Sequence, residues 1–282
     1  MNGRSRCDNA RMPAAHPAPS TPPPAAPAPS PDAHVAVARE FVGVRYPEAL
    51  GAVLGGSCAQ GGATERSDLD VSVLLPAGAT SRRETHRHAG RPVEVFLNTV
   101  ADLREAFVES RATRRATALF LFADSVVLRD TDGCARRLRA EARHLLDTGP
   151  DPLTPDERDA GRFLLTDLAD DLADTASAGD RHEQLAVADR LLRESAHLLT
   201  AHRGAWNGAG KWLPRRLRAA DPALAPALLD GHLAVAERAD PGPLVTAAGQ
   251  VLDLLGGPLR EGYREVSPRQ AARQAANAAH LP

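Results

Sequence analysis

Lysine is almost missing from this chain. Lys211 is the only one in 282 residues, so every other strong base is arginine. Together with the abundance of Ala, Arg, Gly and Pro, this reads as the coding bias of a GC-rich genome. The bias makes the surviving lysine noticeable without giving it a role. Cysteine is also scarce. Cys7, Cys58 and Cys134 are widely separated, which excludes a disulfide framework and a paired-cysteine metal site. A reducing, cytoplasmic setting is the simplest expectation. Aromatic residues make up 4% of the chain and the formal net charge is −2. Both argue against nucleic acid as a partner, which needs basic surface and stacking platforms. No apolar run nears the roughly 20 residues that span a bilayer, and the N-terminus lacks the apolar stretch of a secretory signal. No membrane association is expected.

The remaining composition is that of a soluble globular protein, with 43% hydrophobic and 25% charged residues. Its organisation changes along the chain. Residues 1–32 are rich in Pro, Ala and Ser, as in Pro22-Pro23-Pro24-Ala25-Ala26-Pro27, and are expected to be a disordered tail. Residues 33–149 read as an α+β unit. A helix is expected over about 34–44, with strands at about 52–55, 69–75, 92–97 and 125–128. Helices are expected near 100–110 and 134–146. Ser81–His88 carries no apolar residue and reads as a mobile polar loop within this unit. Gly149-Pro150-Asp151-Pro152 marks a boundary. Residues 150–266 then follow a helical period, with long amphipathic runs at 156–176 and 183–202. Shorter helices are expected at 212–219, 223–239 and 244–255. Residues 267–282 are weakly apolar and expected to be a flexible tail.

The chemistry concentrates in one stretch. Ala52-Val53-Leu54 runs into Gly55-Gly56-Ser57, and ten residues later come Asp68-Leu69-Asp70 and the apolar Val71-Ser72-Val73-Leu74-Leu75. Residues i and i+2 of a strand point to one face. Asp68 and Asp70 should therefore project together, and two adjacent carboxylates repel unless a cation sits between them. Hard divalent cations such as Mg²⁺ take such oxygen ligands. The glycines allow a ligand to approach the backbone, and the Ser57 hydroxyl suits a phosphate oxygen. Glu94, between Val93 and Val95, is an unusual residue for a strand. It is the candidate third carboxylate. Glu84 competes for that place from the polar loop.

These residues carry a resemblance. Gly56-Ser57, a ten-residue gap, Asp68-Leu69-Asp70 and a later strand glutamate resemble the DNA polymerase β-like nucleotidyltransferase superfamily. Within it the chain is most similar to bacterial minimal nucleotidyltransferases and aminoglycoside adenylyltransferases. The motif-bearing likeness covers about residues 34–130, and the two-domain plan extends it to about 265. It implies an α+β polymerase β-like domain with a mixed sheet, followed by a C-terminal α-helical bundle. It implies Mg²⁺ on Asp68, Asp70 and Glu94, with Glu94 as metal ligand or general base. ATP or another NTP would be the co-substrate, with Gly56 and Ser57 holding its phosphates. The implied reaction moves a nucleoside monophosphate, AMP from ATP, to a hydroxyl of a small acceptor and releases pyrophosphate (EC 2.7.7 type).

Three further features bear on substrates. In related adenylyltransferases a lysine of the helical domain reaches the nucleotide phosphates, which suits Lys211; an ordinary exposed lysine is the bland alternative. Trp212 reads more readily as core than as a base-stacking platform. Asp167, Asp170, Asp171 and Asp174 form an acidic helix stripe, at i, i+3, i+4 and i+7. If it faces the cleft it suits a cationic acceptor; otherwise it is a solvated face. The alternative reading of the whole chain is a regulatory nucleotide-binding or toxin–antitoxin module that modifies a protein partner.

Overall fold

A computed structural model describes residues 31–64 and 67–264. Most of the expected tails (residues 1–30 and 267–282), Cys7, and Glu65 and Arg66 of the motif loop lie outside the described residues. Helix α1 (Pro31–Arg45) opens the structure and leads into β1 (Gly51–Gly55), which is buried throughout. A four-residue helix, α2 (Gly56–Ala59), and a loop precede β2 (Leu69–Leu75). Strands β3 (Arg82–His88) and β4 (Arg91–Thr99) follow. Next come α3 (Val100–Thr113), α4 (Thr117–Ala123), β5 (Val126–Asp130) and α5 (Cys134–Thr148).

The five strands form one mixed sheet in the order β3-β4-β2-β1-β5. β2 and β4 are parallel, and the other pairs are antiparallel. The alternation of β2 and β4 decides the layers. Val71, Val73, Val93, Val95 and Leu97 share one face and pack against Val35, Ala38, Phe41 and Val42 of α1. On the other face Val53 and Leu74 meet Leu103, Phe107, Leu119, Phe122 and Leu138 of α3, α4 and α5. Such burial is the main stabilising term of the unit.

The expectation of a loop at Ser81–His88 is corrected, because Arg82–His88 is strand β3. It lies at the sheet edge and pairs antiparallel with β4. Edge strands tolerate charge, and charge protects an open edge from adding further strands. A run without apolar residues gave no period-two signal to read. Helix α4 is a second addition; Thr117–Ala123 is too short for a helical period to stand out.

Beyond Pro152 the described chain is helical: α6 (Pro155–Ala178), α7 (Arg181–His202), α8 (Trp212–Ala220), α9 (Ala225–Arg238) and α10 (Gly242–Leu255). These helices share their own core, including Leu165, Leu172, Leu191, Leu199, Leu228, Leu244 and Val251. A capping box from Thr154 and Glu157 starts α6, with Pro155 at its first position. The Asp180 side chain caps α7. Among the described residues no helix is long and apolar enough to cross a membrane.

Arg114 and Trp206 help join the sheet unit to these helices. Arg114 ends α3 in the left-handed conformation, with φ 60°. Its guanidinium donates to the carbonyls of Asp151 and Pro152 at 2.9 Å each and to both Glu157 oxygens at 3.1 and 2.7 Å. Its own carbonyl accepts from the Asn207 N–H at 2.9 Å. Trp206 is buried in the sheet unit's core, and its Nε1 donates to the Leu146 carbonyl at 3.2 Å.

Candidate functional site

The site begins where β1 ends. Gly55 pairs across to Asp70, and Asp70 pairs in parallel register with Glu94. Side chains of directly paired residues emerge on the same face, so Asp70 and Glu94 stand side by side. Asp68 joins them from just before β2. Ligand oxygens of Asp68, Asp70 and Glu94 all lie within 4.8 Å of one another, and each residue is partly exposed. The cluster lies on the α3–α4–α5 side of the sheet, as alternation from Asp70 to Leu74 requires.

Crowding is visible in the charge state. The Asp70 carboxyl is pushed up to about 6, first by burial and then by the charges of Asp68 and Glu94; Lys211 and Arg83 oppose the shift. A cation bound among the three oxygens would remove the repulsion. The donor set, hard carboxylate oxygens, suits a divalent metal such as Mg²⁺.

Gly56 sits directly against this cluster. Its φ is +66°, and a Cβ placed there would lie 2.1 Å from Asp70 Oδ2. No side chain fits without moving the carboxylate. Gly56→Ala is therefore expected to weaken Mn²⁺ binding at least tenfold, by displacing Asp70 and straining a left-handed turn. Isothermal titration reads this directly; an unchanged dissociation constant would refute the contact.

The loop between glycine turn and aspartates is tied at both ends. The Gly62 N–H donates to the Ser57 carbonyl at 3.0 Å. Buried Cys58 donates its thiol to the Asp68 carbonyl at 3.1 Å. Ser57 Oγ donates to Ser67 Oγ at 3.3 Å, and Ser67 Oγ accepts from the Thr64 N–H at 2.9 Å. These bonds tie Ser57 and Cys58 of α2 to Ser67 and Asp68 just before β2.

Lys211 stands just before the first residue of α8, without a side-chain capping bond, and is exposed. It is close enough to Asp70 for its charge to act on that carboxyl. The structure thereby brings all six sequence-derived candidates to one region. Trp212 is different from expectation: it is 44% exposed and not core. Trp206 takes the buried position instead. The Trp212 ring lies against two guanidinium groups, Arg215 at 5.0 Å and Arg216 at 5.3 Å. Arg216 also sits 3.5 Å over the Phe120 ring of α4, which packs α8 onto the sheet unit near the glycine turn.

Other candidates fall elsewhere. Glu84 faces the α1 side, because it pairs with Val95 and not with Glu94. There it accepts from Tyr46 Oη at 2.8 Å and Arg82 at 2.7 Å, with His86 Nε2 also at 2.7 Å. These hydrogen bonds hold its carboxyl down to about 2. The face, and not a loop, removes Glu84 from the site. The acidic stripe of α6 is exposed, and Asp170 pairs with Arg260. A second group, Asp130, Asp132 and Cys134, also places its ligand atoms close together. Its carboxylates already accept N–H groups at the start of α5, from Ala135 and Cys134.

Sequence reasoning missed Arg83. Its NH2 donates to Glu94 Oε2 at 2.6 Å, and its guanidinium lies 5.2 Å over the Phe96 ring. Only the strand register of β3 reveals it.

A family model described as the nucleotidyltransferase domain matches residues 36–119. The chain carries a nucleotidyltransferase domain. The match begins within α1 and runs through β4 and α3 into α4, so it includes the glycine turn and all three carboxylates. Residues 36–119 are accordingly a nucleotidyltransferase domain, within an α+β unit that is followed in this chain by a helical region. Nucleotidyltransferase domains use a nucleoside triphosphate and a divalent metal, which fits the donor set found here. A crystal structure of a nucleotidyltransferase-like protein from Exiguobacterium sibiricum is similar at 14% identity with a TM-score of 0.43. The likeness covers 78% of this chain and 74% of that one. No curated protein matches the chain.

Proposed function

We propose that this nucleotidyltransferase moves a nucleoside monophosphate, AMP from ATP, onto a hydroxyl of a small-molecule acceptor with Mg²⁺ as cofactor. What carries the reading is the gathering of Asp68, Asp70 and Glu94 against the side-chain-free turn at Gly56. Asp68 and Asp70 would hold the metal, and Glu94 stands beside them as the third carboxylate. Bound there, Mg²⁺ would neutralise triphosphate charge and stabilise the departing pyrophosphate.

The rest of the chemistry belongs to the chain's own residues. The backbone at Gly56 and the hydroxyl of Ser57 receive the phosphates, which approach closely because position 56 has no Cβ. Lys211 meets their charge from the helical side, as an ammonium point charge. The acceptor oxygen attacks the α-phosphorus in line, and the bond to the bridging oxygen of pyrophosphate breaks. Glu94 accepts the acceptor's proton on a carboxylate oxygen.

Incubation with Mg²⁺, each labelled nucleoside triphosphate and a panel of hydroxyl-bearing small molecules tests the proposal. Label on one small acceptor, with stoichiometric pyrophosphate, is expected from ATP. Lys211→Ala should raise the KM for ATP about tenfold or more, since a charge-assisted phosphate contact is lost. Label appearing only on a protein from a cell extract would overturn the small-acceptor reading. An unchanged KM in Lys211→Ala would remove the lysine from the site.

A further inference from the structure

Among the described residues Arg83 is the side chain bonded to Glu94, and its position is built by the sheet. β3 is the edge strand, and its register pairs Arg83 with Phe96 and Thr85 with Glu94. Residues 83 and 85 therefore share a face with 94 and 96, the face that carries Asp70. Arg83 stands diagonal to Glu94, within reach of a long side chain. Phe96 supports its guanidinium from below at 5.2 Å, and the 2.6 Å bond to Glu94 Oε2 follows. Arg83 is 59% and Glu94 26% exposed at the side chain. An exposed pair of this kind adds little to stability. Its effect is instead on the carboxylate cluster beside it.

We infer that Arg83 is a positioning residue that engages one oxygen of Glu94 and competes with the divalent metal for that carboxylate. The inference rests on the metal reading above. With Oε2 occupied by the guanidinium, Glu94 has its other oxygen for the acceptor's proton and is restrained from collapsing onto the metal with both. Removing Arg83 frees the second oxygen and withdraws a positive charge from the cluster. Metal then binds more tightly, while Glu94 is drawn away from the acceptor.

Mn²⁺ titration of the nucleotide-free protein, followed by calorimetry, provides a readout other than turnover. Arg83→Ala is expected to tighten Mn²⁺ binding roughly three- to tenfold, the size expected for one charge acting on a divalent ion across a partly hydrated gap. It should also lower kcat about tenfold. Arg83→Lys, which keeps the charge, should hold the affinity near the wild-type value. Arg82→Ala controls for net charge, because Arg82 bonds Glu84 on the opposite face; it should leave Mn²⁺ binding unchanged.

An Arg83→Ala variant whose Mn²⁺ affinity is unchanged or weaker overturns the inference. So does tighter binding with unimpaired kcat. Asp70→Asn separates this failure from that of the metal reading. If Asp70→Asn binds Mn²⁺ as the wild type does, the metal reading itself falls. If it loses Mn²⁺ while Arg83→Ala changes nothing, the Arg83 inference falls alone.

Discussion

Asp70→Asn is expected to reduce nucleotidyl transfer by three orders of magnitude or more while leaving the protein folded. The amide keeps the shape of the side chain but supplies no anion. It removes the central carboxylate of the three, the one paired with both Gly55 and Glu94. Losing charge stabilisation at a phosphoryl-transfer centre costs several kcal/mol of transition-state stabilisation. The same variant should be more stable than the wild type in metal-free buffer. Asp70 titrates at about 6 in the fold, against the ordinary 3.8. A raised carboxyl favours the folded state most when protonated, and that advantage is lost as pH rises from about 4 to about 6. Above pH 6 the asparagine variant should gain about 1–2 kcal/mol over the wild type, allowing for solvent screening of a partly exposed group. Below pH 4 the two should converge. Urea unfolding in chelator across this range measures the effect; a less stable asparagine variant at pH 7.5 would contradict the crowding. Stability gained where activity is lost is the signature of a site whose charges are assembled for a ligand.

Arg114→Ala is expected to be the most destabilising single change at the joint between the sheet unit and the helices, at about 2–3 kcal/mol. Only 4% of Arg114 is exposed. Its guanidinium satisfies two backbone carbonyls of the connecting segment and makes a two-pronged bond to Glu157. Alanine leaves all of these without their donor. Glu157 is 44% exposed and can rehydrate, so Glu157→Gln should cost only about 1 kcal/mol. Arg114 holds the Glu157 carboxyl down to about 2. A depressed carboxyl contributes above its ordinary 4.5, and that contribution is lost as pH falls from 4.5 towards 2. The difference between wild type and Glu157→Gln should therefore vanish near pH 2. A loss of under 0.5 kcal/mol for Arg114→Ala in chemical unfolding would show that the joint is held elsewhere.

Much of the fold was legible where one period dominated. β2 is read from Leu69 to Leu75 because apolar residues fill it, and the helices from α5 onward follow their 3.6-residue repeat. β3 was not legible, since Arg82–His88 has no apolar residue and lies at an edge where charge is tolerated. Trp212 was misread because a large aromatic is usually core, whereas here arginine side chains shelter it. Glu84 and Glu94 looked like rivals along the chain. A difference in pairing register, Val95 against Asp70, puts them on opposite faces.

By itself the sequence determined the candidate residues: two aspartates at strand spacing, a glycine–serine turn at fixed distance, a glutamate between valines, and one lysine. Those are local patterns, set by residue type and by the two-residue repeat of a strand. Only the tertiary structure decided which of them meet. The parallel pairing of β2 with β4 joins Asp70 to Glu94, packing of α8 on α4 brings Lys211 near, and the antiparallel pairing of β3 delivers Arg83. Each depends on hydrogen-bond register or packing between segments distant in the chain. A one-residue slip in such a register would turn every side chain of a strand to the other face.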